Sequence, residues 1–328
     1  MLKQTYLLLS LATIFWGIQP LCIKILVQNW TPPALTTFRY LLISTILFII
    51  IYLKKEQKFI PPKHCIVPLI LMGLTGIGIN NVAQFTGLQY SSITNCTLIA
   101  ATGPAITALI ATIFIHERLN FIQWIGIFIS FIGVIFLITK GSIDVLLNFN
   151  FNPGDTLFFI CQIVWALYSI LGLKIMNYLS AIAVTAWSGL IGAIEVAIYA
   201  YFSGQLYYTP LDSLGYMSFA FVVICGGVGS MLFWNIGVKN AGPSIAAIFS
   251  NLTPIFGMIC GAIFLKEDIG YIQLSGALFI FLGVYITTHS QKIIKCSRET
   301  FKSLRKKFLR LFHYLFIFCE LDLFCHLL

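Results

Sequence analysis

The chain has 328 residues, 59% of them hydrophobic and only 9% charged, against a charged share of about 25% in soluble domains. So few ionic groups cannot cover a soluble protein of this length, which leaves a polytopic helical membrane protein. The formal charge of +9 does not point to nucleic acid. Much of it follows the last apolar run (Lys292, Lys295, Arg298, Lys302, Arg305, Lys306, Lys307 and Arg310), where attraction to anionic lipid is the better reading.

Apolar runs predict ten transmembrane helices. The first five cover roughly Tyr6–Leu26, Ala34–Leu53, Ile66–Leu88, Ile93–Ile115 and Ile122–Thr139. The other five cover roughly Leu157–Met176, Ala181–Phe202, Tyr216–Ile236, Pro243–Leu265 and Ile272–Thr288. The N-terminus stays apolar to Val27 without a convincing small-x-small cleavage site, so the first run reads as a retained helix rather than a secretory signal. Residues 141–154 form the longest connection and divide the chain into units at 1–140 and 155–290. The tail, 291–328, sets Phe301, Leu304, Phe308, Leu311 and Leu315 along one helical side with basic residues on others, the pattern of an amphipathic interfacial helix.

With a cytoplasmic N-terminus, the inner side receives Lys3, Lys54, Lys55, Lys58, Lys63, Arg118, Lys174, Lys239 and the basic tail. The outer side receives Lys140 and Lys266, with Lys24 near its end of the first helix. This is the asymmetry expected of cytoplasmic loops, and it favours an even number of spans with both termini inside. The nine cysteines include no C-x-x-C pair, and Cys22, Cys96, Cys161, Cys225 and Cys260 fall in apolar runs, where Cys acts as a small hydrophobe. Neither a disulfide framework, a metal site nor a cofactor is expected.

A shift of 150 residues maps the second unit onto the first. Gly87 meets Gly237, Pro104 meets Pro254, Glu117 meets Glu267, Gly126 meets Gly276, and Gly133-Val134 meets Gly283-Val284. Five spans per unit is an odd number, so the second unit enters the membrane from the opposite side. Equivalent helices then run antiparallel, as an inverted repeat requires.

The residues that carry this echo resemble a known family. In each unit an Ala/Ser-rich helix with a Pro ends in an acidic residue, and a Gly-rich helix follows. The pattern runs from Ala100-Ala101-Thr102-Gly103-Pro104 to Glu117, then Gln123-x-x-Gly126 and Gly133-Val134. It recurs from Asn251-Leu252-Thr253-Pro254 to Glu267, then Gln273-x-x-Gly276 and Gly283-Val284. With Trp16-Gly17 in the first helix and Phe38-Arg39-Tyr40 in the second, the chain resembles the EamA-type transporters of the drug/metabolite transporter superfamily. The second unit departs from that pattern with Trp165-Ala166 and no counterpart of Arg39. The resemblance implies two five-helix repeats in the cytoplasmic membrane of a bacterium and a small-metabolite cargo, without naming that cargo.

Several side chains are candidates for binding or coupling. Pro104 and Pro254 remove a backbone donor at matching depths, which suits either a hinge on the substrate path or a kink kept for packing. Glu117 and Glu267 end the same helices, as gating groups or simply as solvated carboxylates. Glu195 lies well inside the seventh predicted helix with no charge near it in sequence, so reversible protonation or snorkelling is open to it. Arg39 has the planar fork that binds a carboxylate or phosphate; snorkelling is its alternative and, still more, that of Lys24. Asn80, Asn81 and Gln84, with Trp234 and Asn235 at the related place, supply amides to an apolar pocket or to interhelical hydrogen bonds. Gln162, Trp165 and Tyr168, with Trp16 as a counterpart, add aromatic surface. Gly76, Gly78, Gly226, Gly227 and Gly229 suit close helix packing or rocking.

These features predict a secondary transporter for a small organic metabolite, an amino acid or related compound, working by alternating access with proton or exchange coupling as the default. Uptake or exchange of a nucleotide-like metabolite, or export of cationic drugs, are alternatives. A channel stands behind these, and an enzyme further still, since no H-E-x-x-H, G-x-S-x-G or Walker A pattern occurs.

Overall fold

The computed structural model describes residues 2–91, 96, 99–139, 141–147, 152–265 and 269–290. Glu267, Lys140, Lys266 and the basic tail lie outside the described residues. The fold is all-helical. Helix α1 (Leu2–Leu26) is followed by α2 (Pro32–Leu53). Thr31 starts α2 by accepting from the Ala34 N–H, and two prolines stand where a missing donor costs nothing. Helix α3 runs through Lys63–Met72, Gly73–Ile79 and Asn80–Tyr90. Helices α4 (Gly103–Ile115) and α5 (Phe121–Thr139) complete the first unit.

The second unit opens with α6 (Pro153–Ile175), begun by a capping box between Asn152 and Asp155. Helix α7 (Ala181–Phe202) follows, capped by Ser180. Helix α8 runs through Ser213–Val223, Ile224–Gly229 and Ser230–Ala241. Helix α9 comprises Pro243–Phe249, a 3₁₀ turn at Ser250–Leu252 and Thr253–Leu265. Helix α10 is Tyr271–Ser290. By length and composition, seven helices can cross a membrane, and Gly103–Ile115, Phe121–Phe136 and Pro243–Ile259 are shorter apolar stretches.

The middle of α3 and the middle of α8 are π-helical, at Gly73–Ile79 and Ile224–Gly229. Both are glycine-rich, and the 150-residue shift superimposes them. A π turn is usually a local bulge at a functional place. Here each bulge sets a glycine against a side chain of a neighbouring helix: Gly76 lies under the ring of Tyr168, and Gly226 lies under Gln19.

The main inter-unit pairings are α2 with α7, α1 with α8 and α3 with α6. The same shift exchanges α1·α8 with α3·α6. Both pairs run antiparallel: Asn240 reaches Thr5 while Ser230 reaches Ala12, and Gly87 meets Phe158 while Gly76 meets Tyr168. Helices α5 and α10 also cross antiparallel, with Gly126 against Gly283 and Gly133 against Gly276. Outward positions are aliphatic or aromatic, including Leu42, Ile49, Leu74, Ile198, Leu278 and Phe281. With water outside, such a surface would be an extended apolar patch; facing lipid, it is the expected one.

Candidate functional site

Four aromatic rings from α1, α6 and α8 meet in the middle of the bundle. Trp16 packs edge-on to Trp165, with centroids 5.5 Å apart, and lies 5.4 Å from Trp234. Trp165 stacks on Tyr168 at 5.1 Å and lies 5.3 Å from Trp234. Three of the four polar tips, those of Trp16, Trp234 and Tyr168, are tied down, as buried aromatics of this kind require. The Trp234 Nε1–H donates to Ser169 Oγ (3.1 Å), and the Trp16 Nε1–H donates to the Gly226 carbonyl (3.1 Å). Asn235 Nδ2 donates to Tyr168 Oη (2.9 Å) and Thr185 Oγ1 (2.8 Å). Trp234 and Tyr168 are fully buried, whereas Trp16 and Trp165 are half-buried.

Arg39 lies beside this cluster, 2% exposed. Snorkelling is therefore the wrong reading for it: the side chain turns into the bundle. Its Nε–H donates to the Val222 carbonyl (3.2 Å), and its Nη2 donates to Gln19 Oε1 (2.9 Å) and the Gly226 carbonyl (3.2 Å). Nη1 reaches Asn81 Oδ1 at 3.5 Å, the outer limit of a hydrogen bond. The π-helical stretch of α8 is what makes this possible, because its Gly226 carbonyl serves Trp16 and Arg39 together. In α3, Asn81 Nδ2 satisfies the matching bulge by donating to the Ile77 carbonyl (2.9 Å). Lys24, by contrast, is exposed.

Other candidates stand apart from the rings. Asn80 and Gln84 are half-buried, and among the described residues neither amide makes a hydrogen bond. Gln162 turns toward the start of α4, where its Oε1 lies against Gly103. Pro104 and Pro254 each stand just after an interruption of regular α-helix. Pro104 is in the first turn of α4, just after the turn at residues 101–102, and Pro254 follows the 3₁₀ turn of α9. The tighter turn takes up the strain that proline would impose inside a helix. Glu195 is half-buried on α7; its Oε2 lies against Gly73, at the start of the first π stretch, with no hydrogen-bond partner among the described residues.

Glu117 follows α4, after His116 turns the chain with φ 56°. Its carboxylate reaches the start of α9, where Ser244 Oγ–H donates to Oε2 (2.9 Å) and Gly242 adopts φ +88° beside it. Burial raises the Glu117 carboxyl above its usual range, against the lowering effect of the hydrogen bonds from Ser244.

Reading the residues one by one missed Gln19, Ser169, Thr185 and Ser244. Gln19 had a usable signal, since it is an intramembrane amide three residues from Trp16 and shares its helical face. The others are hydroxyls, common in apolar helices, whose partners lie far away in sequence.

The comparisons agree with this architecture. The model of the EamA-like transporter family matches residues 3–139 and 152–289. The uncharacterized transporter YyaM of Bacillus subtilis is 30% identical over 282 residues, covering 85% of this chain and 92% of the relative. An uncharacterized transporter of Archaeoglobus fulgidus is 26% identical, covering 88% and 99%. A crystal structure at 16% identity shares the fold with TM-score 0.75, over 89% of this chain and 99% of the other. The apolar helices make the chain an integral, multi-pass membrane protein, and the two matched stretches between them account for most of its length. The chain belongs to the EamA-like transporter family.

Proposed function

We propose that this transporter is a secondary carrier that moves a small organic metabolite by alternating access between two inverted five-helix repeats, spanning a bacterial inner membrane ten times with both termini in the cytoplasm. The observation that carries the reading is the exchange of contacts under the 150-residue shift, with α1·α8 against α3·α6 and α5 crossing α10 antiparallel. Two similar halves packed this way can trade conformations, which is the mechanical requirement of a carrier.

The substrate would sit at Trp16, Trp165, Tyr168 and Trp234, where the repeats meet and where aromatic surface and a few fixed polar groups can orient a small molecule. The rings now fill that space, so entry requires the half-buried pair, Trp16 and Trp165, to turn aside. Glu195 is the candidate for proton coupling, because its buried Oε2 without a partner lies beside a bulge that a change of charge would disturb. The tail after 290 would rest on anionic lipid.

Counterflow in proteoliposomes tests this reading. Vesicles preloaded with mixed amino acids should take up labelled amino acid against its gradient, with saturation, and Trp165→Ala should lower that flux about tenfold or more, the scale of losing a well-packed aromatic contact. Flux that is linear in concentration would make the protein a channel.

A further inference from the structure

Every partner of the Arg39 guanidinium is neutral. Val222 and Gly226 offer carbonyls, Gln19 and Asn81 offer amide oxygens, and no carboxylate of a described residue joins them. A guanidinium stays protonated and carries five N–H donors. Nε and Nη2 are well used here, whereas Nη1 has a single contact at 3.5 Å. The Tyr40 ring, its centroid 5.2 Å from Cζ, is the one group among the described residues that offsets this charge. The core of a membrane protein therefore holds a cation with no anionic partner among the described residues, with one under-used edge facing Asn81 and a carbonyl shared with Trp16.

A helix-bridging role alone does not explain that charge. A neutral amide could tie α2 to α1 and α8 through the same acceptors without the cost of burying an ion in a membrane. Buried charges persist when something pairs with them. Resting on the transport reading above, we propose that the Nη1 edge of Arg39, with Asn81, receives an anionic group of the cargo, a carboxylate or a phosphate. The substrate is then an organic acid, or a zwitterion that presents its acid end, with an apolar body against the tryptophans. Cationic compounds are excluded by the same charge.

The test uses the full chain in detergent, with thermal unfolding read as loss of soluble protein after heating, at constant ionic strength. The probes are indole-3-acetate, benzoate and inorganic phosphate, with neutral indole-3-acetamide and cationic tryptamine as matched controls. At least one anion should stabilise the protein saturably at millimolar concentration, and neither control should. Arg39→Lys should weaken that binding about 10- to 100-fold, the worth of a charge-assisted contact. Asn81→Asp offers a second variant that does not depend on losing the arginine. A carboxylate fixed beside Nη1 should neutralise the site from within, raising the melting temperature while abolishing the response to anions.

The proposal is overturned by any of four results: no response to an anion, equal stabilisation by the amide or the amine, an anion response that survives Asn81→Asp, or competition by phosphatidylglycerol, which would assign the edge to a lipid headgroup. None of these decides the counterflow experiment, since amino acids held by groups other than Arg39 would still exchange.

Discussion

A methyl group on Gly133 would come within 2.7 Å of the Gly276 carbonyl oxygen, and one on Gly126 within 2.7 Å of the Gly283 carbonyl oxygen. Backbone cannot move aside as a flexible side chain does. Alanine at either position gains about 1 kcal/mol of helix propensity but pays an overpacking cost of about 1–3 kcal/mol, so the net effect is destabilising. Gly257 supplies the contrast, because its nearest neighbour would be 3.8 Å away and only propensity acts. Thermal unfolding in detergent should rank Gly257→Ala above the native chain and Gly133→Ala below it; the reverse order would contradict the α5–α10 crossing. At the same scale, Glu195→Gln should insert normally yet transport without pH dependence. Preserved pH dependence would remove Glu195 from coupling. The repeat of Gly126 and Gly133 was visible in the sequence, but the carbonyls they meet were not, because they belong to a helix about 150 positions away.

Among the elements, α1, α2, α6 and α7 lie close to their apolar runs, and α3 extends from the predicted Ile66–Leu88 to Lys63–Tyr90. The π-helical stretches were not legible. A π turn inserts one residue without changing which residues are apolar, so only the glycine clusters hinted at them. The contact between α4 and α9 was hidden for a different reason, since Glu117 and Ser244 are joined only by the tertiary fold. That contact has a pH sign. The Glu117 carboxyl is raised by burial, so the packed arrangement holds its proton more tightly than an exposed chain does. Its contribution to stability is complete below the ordinary glutamate range and is lost as pH rises through the raised value. Melting temperature should therefore fall with rising pH across the window just above the ordinary carboxylate range. Glu117→Gln should flatten that fall, and an unaltered slope would assign it to another group.

At the scale of the whole molecule, the inverted arrangement depends on whether α4 crosses the membrane. Its helix has 13 residues, about 20 Å at 1.5 Å each, short of roughly 30 Å of hydrocarbon. The related α9 answers part of this objection. It runs without a gap from Pro243 to Leu265 by inserting a 3₁₀ turn ahead of its proline, and Ile99 and Ala100 are helical ahead of the corresponding break in α4. Parity makes the question measurable. If α3, α4 and α5 all cross, three passages separate Lys58 from Lys140 and the two residues face opposite sides. If α4 alone stops short, two passages separate them and they share a side. Cysteines placed at 58 and 140 in a cysteine-free chain, probed from outside with a membrane-impermeant thiol reagent, should label only at 140. Labelling of both from one side would leave the first unit with an even number of crossings, and the second unit would then repeat the first in the same orientation, with no opposed halves to alternate.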